Sequence, residues 1–473
     1  MEQFQVMGPL VSLPRGKIAV DSKIILVLKK GPSGEVLRYK ARLVARGFSQ
    51  RPGEDYGETF APVTKHATVR LLLALAAALG LEAHVIDVNN AFLNAPLQEE
   101  VYLQQPHGIQ DGTNRVFRLQ KALYGLKQAP RMWNQMLGDK LVLKGFMCAA
   151  DNALYTYRAP TGEYYIWVPV WVDDLLLLSN KPAGIAFAKE TVAQVFTIKD
   201  LGPVQTYLGL QISRDRGQGG LKISLQAYVD GLEHRFATLL EATQGRCQVP
   251  MSQEVLTKLR KGSLTPEEAK PAKRGDFLAI LGCLSYCANT ARPDLLFAVS
   301  ILGQGAADPR QVHLSAALKV LKHVINTKVL GLCYNKNNSY KPSVVIGCTD
   351  ADWAGEPSGE SRAAFSFMAV GAAVSWYSKR LHTIAASTAE AEYKALSQGA
   401  KEVIWFRRMT EVLGHPHCPS NVTARQQLQS ATTLSTTPPH ATSGCSITPQ
   451  GRPKLKAKSL CTLFQVVSRW QTF

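Results

Sequence analysis

The clearest pattern of apolar and polar positions lies in "NALYTYRAPTGEYYIWVPVWVDDLLLLSN", from Asn152 to Asn180. Its apolar runs, broken at "APTGE" and again at Asp173–Asp174, predict strand, turn, strand, tight turn and strand. Nearer the start, "KIILVLKK" and "EVLRYKARLVAR" are strand-like and flank "GPSG", a strong hairpin signal. "LLLALAAALGL", Leu71 to Leu81, predicts a buried helix, and "AHVIDVNNAF", Ala83 to Phe92, a strand. "VFRLQKALYGLKQAPRMWNQML" is a Gly- and Pro-broken loop running into a helix, and Pro182 to Phe196 is helix-like.

Strands and helices mix from "GPVQTYLGLQISRDR" to about Phe236. The polar stretch Arg260 to Asp276 predicts a linker or exposed loop. Helical patterns resume in "FLAILGCLSYCANTARPDLLFAVSILGQ" and "HLSAALKVLKHVI". A last unit opens at "SVVIGCTDADWAG" and runs through "EAEYKALSQGAKEVIWFRRMTEVLG". Beyond Glu411 there is no Asp or Glu, and "SATTLSTTPPHATSG" is low in complexity, so the pattern assigns this tail no fold.

Length and charge narrow the partners. The 473 residues suffice for about two to four domains. With 46% hydrophobic and 19% charged residues the composition is globular. A formal charge of +18 favours a polyanionic partner, nucleic acid before an acidic membrane surface. The most apolar stretch falls short of the roughly 20 residues that span a bilayer, so no membrane partner is expected. Nine cysteines at irregular spacings fit buried thiols in a reducing compartment. Cys283 and Cys287, four apart on a predicted helix, read as core rather than zinc ligands, and "HPHC" at His415 to Cys418 is too short and isolated for a metal site.

Asp173 and Asp174 then need a reason. Unpaired carboxylates are costly to bury, and adjacent ones repel. A tight turn can hold both at a strand tip if a cation sits there, and Mg²⁺ is a hard cation bound by one or two carboxylates plus phosphates. A further acid on a neighbouring strand is then expected, and Asp87 in "VIDVNNAF" fits. On these residues alone, two solvated turn acids remain the alternative.

"YKARLVARGFSQRPGEDYGETFAPVTKHATVRLLLALA", "IDVNNAFLNAPLQEEVYLQQP", "LYGLKQAPRMW", "VWVDDLLLLS", "IKDLGPVQTYLGLQI", "NTARPDLLFAVSILGQ" and "CTDADWAG" occur in this order. Together they resemble copia-type retrotransposon reverse transcriptases over roughly Lys17 to Gly414. The resemblance implies an α+β right-hand polymerase of fingers, palm and thumb, followed by a connection and a partial RNase H-like α/β domain. The implied boundaries are 1–240 for the polymerase, 241–340 for thumb and connection, 341–414 for the partial RNase H-like domain, and 415–473 for a disordered or frame-shifted tail. It implies an RNA-directed DNA polymerase acting on an RNA template, a DNA primer and dNTPs with two Mg²⁺ ions, Mn²⁺ being an alternative. A cytoplasmic particle and the nucleus are the expected locations.

The resemblance gives Asp87, Asp173 and Asp174 the catalytic, metal-binding role, with Trp171 where the family more usually has Tyr. Phe92 matches an aromatic that blocks a ribose 2′-hydroxyl, with core packing as the alternative. Arg38, Lys40, Arg42 and Arg46 have even spacings, so one face of a regular strand would carry all four. Lys40, Arg42 and Arg46 lie where the family meets the triphosphate, and which of them does so stays open. Lys127 is expected at the template side, as a phosphate contact or a solvated lysine.

"CTDADWAG" and "STAEAEYKAL" resemble the first strand and helix of an RNase H, whose acids fall on Asp350 and Glu392. The third acid of that family, in an Asp-Asn motif, has no counterpart, since the tail lacks acids. A shift of reading frame, or genomic decay, near residues 415–430 is the expected cause, and RNase H activity is expected to be absent or impaired. Ile24 also replaces a Trp usual in the family's fingers. An inert remnant that binds nucleic acid by charge is the alternative to an active polymerase.

Overall fold

The computed structural model describes residues 5–30, 35–149, 151–215, 217, 219–241, 243, 247–262, 264–335 and 344–413, and the backbone of 421–426. The chain divides into two compact units, one formed by residues up to Lys65 with Leu81–Val204, the other by His66–Gly80 with residues from Gln205 on. The "GPSG" turn, "HPHC" and the Ser/Thr/Pro-rich stretch lie outside the described residues.

In chain order the first unit contributes β1 (Met7–Val11), β2 (Ser22–Lys30) and β3 (Val36–Ala45). The next element, α1 (His66–Leu79), belongs to the second unit. The first unit resumes with β4 (Glu82–Val88), α2 (Ala91–Asn94), β5 (Tyr102–Gln104), β6 (Val116–Leu119), α3 (Ala129–Leu143), β7 (Met147–Cys148), β8 (Leu154–Arg158), β9 (Tyr165–Trp171), β10 (Asp174–Ser179), α4 (Pro182–Ala193) and β11 (Ile198–Pro203). The main sheet runs β11-β4-β10-β9-β8-β7, all antiparallel. The strand–turn–strand–turn–strand pattern is therefore β8, β9 and β10. Ile86, Val88, Ile166, Val168, Leu175 and Leu177 are buried with Trp133 on one face, and Val85, Trp167, Leu176 and Leu178 on the other are buried as well, so continuous apolar runs suit strands covered on both faces. The expected strand over Ala83–Phe92 stops at Val88: Asn90 takes a left-handed φ of 50°, and Phe92 falls in α2.

β2 and β3 pair as a two-stranded ribbon. Alternation puts Leu26, Leu28 and Tyr39 on one face and Arg38, Lys40 and Arg42 on the other. Arg46 lies beyond the end of β3 and so leaves the row of cations. Gly125 (φ +92°) closes on this base: a Cβ there would lie 2.0 Å from the Ala45 carbonyl oxygen.

In the second unit, α1 is apolar on all sides and buried from Thr68 to Ala78, as a helix without a polar face must be. It is followed by β12 (Thr206–Tyr207), β13 (Leu210–Asp215), β14 (Gly220–Ser224), α5 (Gln226–Arg235), α6 (Ala237–Glu241), α7 (Gln253–Lys261), α8 (Arg274–Thr290), α9 (Leu296–Gln304), α10 (Gln311–Asn326) and β15 (Gly331–Asn335). Then come β16 (Val344–Asp352), β17 (Arg362–Ala369), β18 (Ala372–Arg380), α11 (Thr388–Leu413) and β19 (Asn421–Gln426). Arg70 of α1 is buried and donates to the carbonyls of Val374, Asn289 and Thr290, its guanidinium 3.9 Å from the centre of the Trp376 ring. Cys283 and Cys287 are buried on α8. Among the described residues no helix is long and apolar enough to cross a membrane.

Two expectations for this part of the chain need revision. Arg260, read as linker, has a side chain only 20% exposed and held in ion pairs. Six tail residues given no fold, "NVTARQ", pair as β19 in parallel with β16, from Val344↔Asn421 to Thr349↔Gln426. Only Val422 and Ala424 of the six are apolar, too little hydrophobic pattern to announce a strand.

Candidate active site

β10 pairs with β4 so that Asp174 lies directly opposite Asp87, and β11 pairs with β4 so that Lys199 lies opposite Asp87. Opposed residues of antiparallel strands share a face, so Asp174, Asp87 and Lys199 form one row across three strands. Asp173 sits beside it in a two-residue turn, since Trp171 and Asp174 close the β9–β10 hairpin. Val172 in that turn has φ +57°, rare for a β-branched residue. The Asp173 carbonyl accepts a 2.9 Å hydrogen bond from the Val88 N–H, tying the turn to the end of β4.

A cavity of about 850 Å³ opens here, its lining including Arg38, Lys40, Arg42, Asp87, Asp173 and Lys199. Asn89, Asn90 and Tyr124 also border it. Burial raises the Asp173 carboxyl, the charge of Asp87 adds to the rise, and a backbone hydrogen bond, Lys40 and Arg42 pull it back. Asp174 is pushed up to about 6 by burial and then by Asp173 and Asp87. The three carboxylates thus feel one another, yet among the described residues no three His, Cys, Asp or Glu side chains close into a metal cage. The donor set is nevertheless of the right kind for Mg²⁺: hard oxygen donors, crowded and partly desolvated, with room for further oxygen ligands.

The other expected residues divide. Lys40 and Arg42 border the cavity, as does Arg38. Arg46 does not line it: its guanidinium bonds Asp21 at 2.7 Å and lies 5.1 Å from the Phe48 ring centre. Phe92 packs at 4.9 Å against Tyr124, and the cavity is bordered by Tyr124 rather than by Phe92. Lys127 is half-buried, donating to the Tyr56 hydroxyl at 2.9 Å, with its ammonium 4.6 Å from that ring's centre. It is not a plain solvated lysine. Lys199 and Tyr124 received no role from sequence reasoning. Strand register could have found Lys199, but only once β4 and β11 were known to be neighbours.

At the second candidate site β16 alternates. Thr349 meets α11, where a Cβ on Gly399 would lie 2.4 Å from its methyl carbon. Asp350 borders a cavity of about 320 Å³ whose lining also includes Thr349, Asp352, Leu296, Phe297, Arg362 and Trp376. Burial raises its carboxyl, a backbone hydrogen bond opposes the rise and Asp352 adds to it. Asp352 bonds Arg260 at 3.3 Å. Arg260 also approaches Glu356 at 3.6 Å, and Glu356 receives Arg362 at 2.6 Å and Gln304 at 2.9 Å. Burial opposes the ionisation of Glu356, but these bonds and charges hold it below its usual range. Glu392 is seven residues before Gly399 and so lies on the stripe of α11 that faces β16. Glu390 caps that helix, accepting from the Ala386 N–H at 2.7 Å, and pairs with Lys394. The strand paired to β16, β19, carries no acid.

The family described as reverse transcriptase (RNA-dependent DNA polymerase) matches residues 6–252. The chain is 33% identical over 419 residues to the retrovirus-related Pol polyprotein from transposon TNT 1-94 of Nicotiana tabacum, covering 88% of this chain and 31% of that one. It is 31% identical over 324 residues to the putative transposon Ty5-1 protein of Saccharomyces cerevisiae, covering 67% of this chain and 100% of that one. The foamy viral protease-reverse transcriptase solved in complex with RNA/DNA hybrid aligns with a TM-score of 0.43 at 11% identity, over 92% of this chain and 48% of that one. The chain belongs to the reverse transcriptase family, whose members are RNA-directed DNA polymerases that use divalent metal ions. Within it, the similarity is to the Pol polyproteins of copia-type transposons, and the chain spans 26% to 31% of the plant examples.

Proposed function

We propose that this chain extends a DNA primer on an RNA or DNA template, with Asp87, Asp173 and Asp174 as the metal-binding carboxylates. The observation that carries this is the row Asp174–Asp87–Lys199 beside Asp173, at a cavity bordered by Arg38, Lys40 and Arg42. Two bound Mg²⁺ ions, or Mn²⁺, would supply activation of the primer 3′-hydroxyl and neutralisation of the leaving pyrophosphate. The carboxylates provide hard oxygen donors, and Lys40 and Arg42 hold the dNTP triphosphate by charge. Tyr124, backed by Phe92, limits the space for the incoming sugar. The net charge of +18 supports binding of an RNA–DNA or DNA duplex. Lys127 contributes to that binding at the template side. Lys127→Ala then lowers the slope of log affinity against log salt by about 1, and an unchanged slope leaves Lys127 only its bond to Tyr56. RNase H cleavage is absent or weak, because Asp350 has no third acid on β19 and its neighbour Asp352 is held by Arg260.

Primer extension on poly(rA)·oligo(dT) with Mg²⁺ or Mn²⁺ tests the reading. Extension that disappears in Asp173→Asn supports it, and extension that survives rejects the site. Duplex binding without extension identifies an inert remnant.

A further inference from the structure

Trp133 has no place in the chemistry above, yet it touches the turn that carries it. It is 1% exposed on α3, and its indole N–H donates to the Val172 carbonyl at 2.6 Å. Indole is a donor only, and when buried it needs an acceptor. The acceptor here is the backbone of a β-branched residue at φ +57°. Such a conformation is strained and persists only where its surroundings hold it. Two bonds hold it: the Trp133 N–H on the Val172 carbonyl, and the Val88 N–H on the Asp173 carbonyl. The indole is itself fixed edge-on against Phe196, with ring centres 5.0 Å apart. A small cavity of about 70 Å³, lined by Trp133, Pro130, Val170 and Val172 among others, gives the turn room to shift if the first bond is lost.

We infer that Trp133 is a positioning residue: its N–H pins the strained Val172 peptide so that Asp173 and Asp174 keep one geometry relative to Asp87. The inference rests on the polymerase reading for its kinetic part. Its structural part concerns only the turn. Plain core packing is the competing role, and it depends on the shape of the ring rather than on its N–H.

Two substitutions separate these. Trp133→Phe removes the donor and part of the ring. Replacement of Trp133 by 3-benzothienylalanine keeps the bicyclic shape and puts sulfur in place of the N–H. In both, kcat for primer extension falls roughly 10- to 100-fold, as a displaced reacting group predicts. The dNTP KM stays within about twofold, because the contacts of the triphosphate are untouched. Amide exchange of the peptide containing Val88 speeds up in both, and the thermal midpoint of the benzothienyl protein falls less than that of Trp133→Phe, since only the buried hydrogen bond is lost. Wild-type kcat and exchange in the benzothienyl protein overturn the inference. A fall in kcat confined to Trp133→Phe, with the benzothienyl protein at wild-type kcat, makes Trp133 a packing residue. If the wild-type chain extends no primer, the polymerase reading fails, and the exchange comparison alone still decides whether the N–H holds the turn. If Trp133→Phe does not fold, the isostere gives the answer.

Discussion

Where β10 meets β4, Asp173 and Asp87 border a cavity whose cations stand on β3 and β11, with Asp174 opposite Asp87 in the row, whereas at the end of β16 Asp352 is bonded to Arg260 and Asp350 borders a mainly apolar cavity beside Leu296 and Phe297. Both places put aspartates at the end of an apolar strand, and both lie in stretches that resemble metal-dependent enzymes. They differ in what surrounds the charge. In the first, burial and neighbouring carboxylates raise Asp173 and Asp174, which favours an added cation. In the second, arginines are already built in, and the Glu356–Arg362 pair is almost wholly buried. A carboxylate that folding has already paired is structural, and one crowded by its own kind is chemical.

The sharpest way to break this contrast is to neutralise one acid at each place. Asp87→Asn should lower primer extension by roughly 100- to 1,000-fold or more, as loss of a charge acting on the transition state does. Asp350→Asn should leave extension within about twofold. Equal losses in the two would erase the distinction. Hydrolysis of an RNA–DNA hybrid by the wild-type protein, abolished in Asp350→Asn, would do the same from the other side.

The second test concerns stability. Glu356→Gln leaves Arg362, 3% exposed, without its charge partner and weakens the hold on Arg260. Breaking such a pair costs about 3–5 kcal/mol, so the denaturant midpoint of the second unit should fall steeply. Asp87→Asn should leave that midpoint unmoved, since Asp87 belongs to the first unit. A Glu356→Gln protein as stable as wild type would show that these arginines do not fix that face.

Much of the first place was legible because its signals are local. Continuous apolar runs broken at Asp173–Asp174 give the hairpin, and the lone acid in "VIDV" gives Asp87. Lys199 was hidden because its role comes from register between strands distant in sequence. Arg46 misled because even spacing persists past the end of β3, where the strand that gives it meaning has stopped. Arg260 and β19 were missed for one reason: a polar segment looks like a linker unless its buried partners, here Glu356 and the backbone of β16, are known.

The smallest effect asks most of the comparison, because it reads the crowding directly. Asp174 is pushed up to about 6, first by burial and then by Asp173 and Asp87. In the unfolded chain the same group titrates near about 4. Between these values the folded protein holds a proton that the unfolded chain has released, so stability falls as pH rises through that window. With solvent screening at a half-exposed group, the fall is on the order of 1 kcal/mol. Asp174→Asn has no proton to lose and should flatten it. Mg²⁺ competes with the same proton, so the rise in thermal midpoint on adding Mg²⁺ should be small at about pH 5 and full above about pH 7. Asp350→Asn should leave that rise intact, because Asp350 lies outside the crowded row. Thermal unfolding from about pH 3.5 to 8, with and without Mg²⁺, measures all of this. A Mg²⁺ effect that ignores pH, or one that vanishes with Asp350 rather than Asp174, would place the working carboxylates on β16 instead.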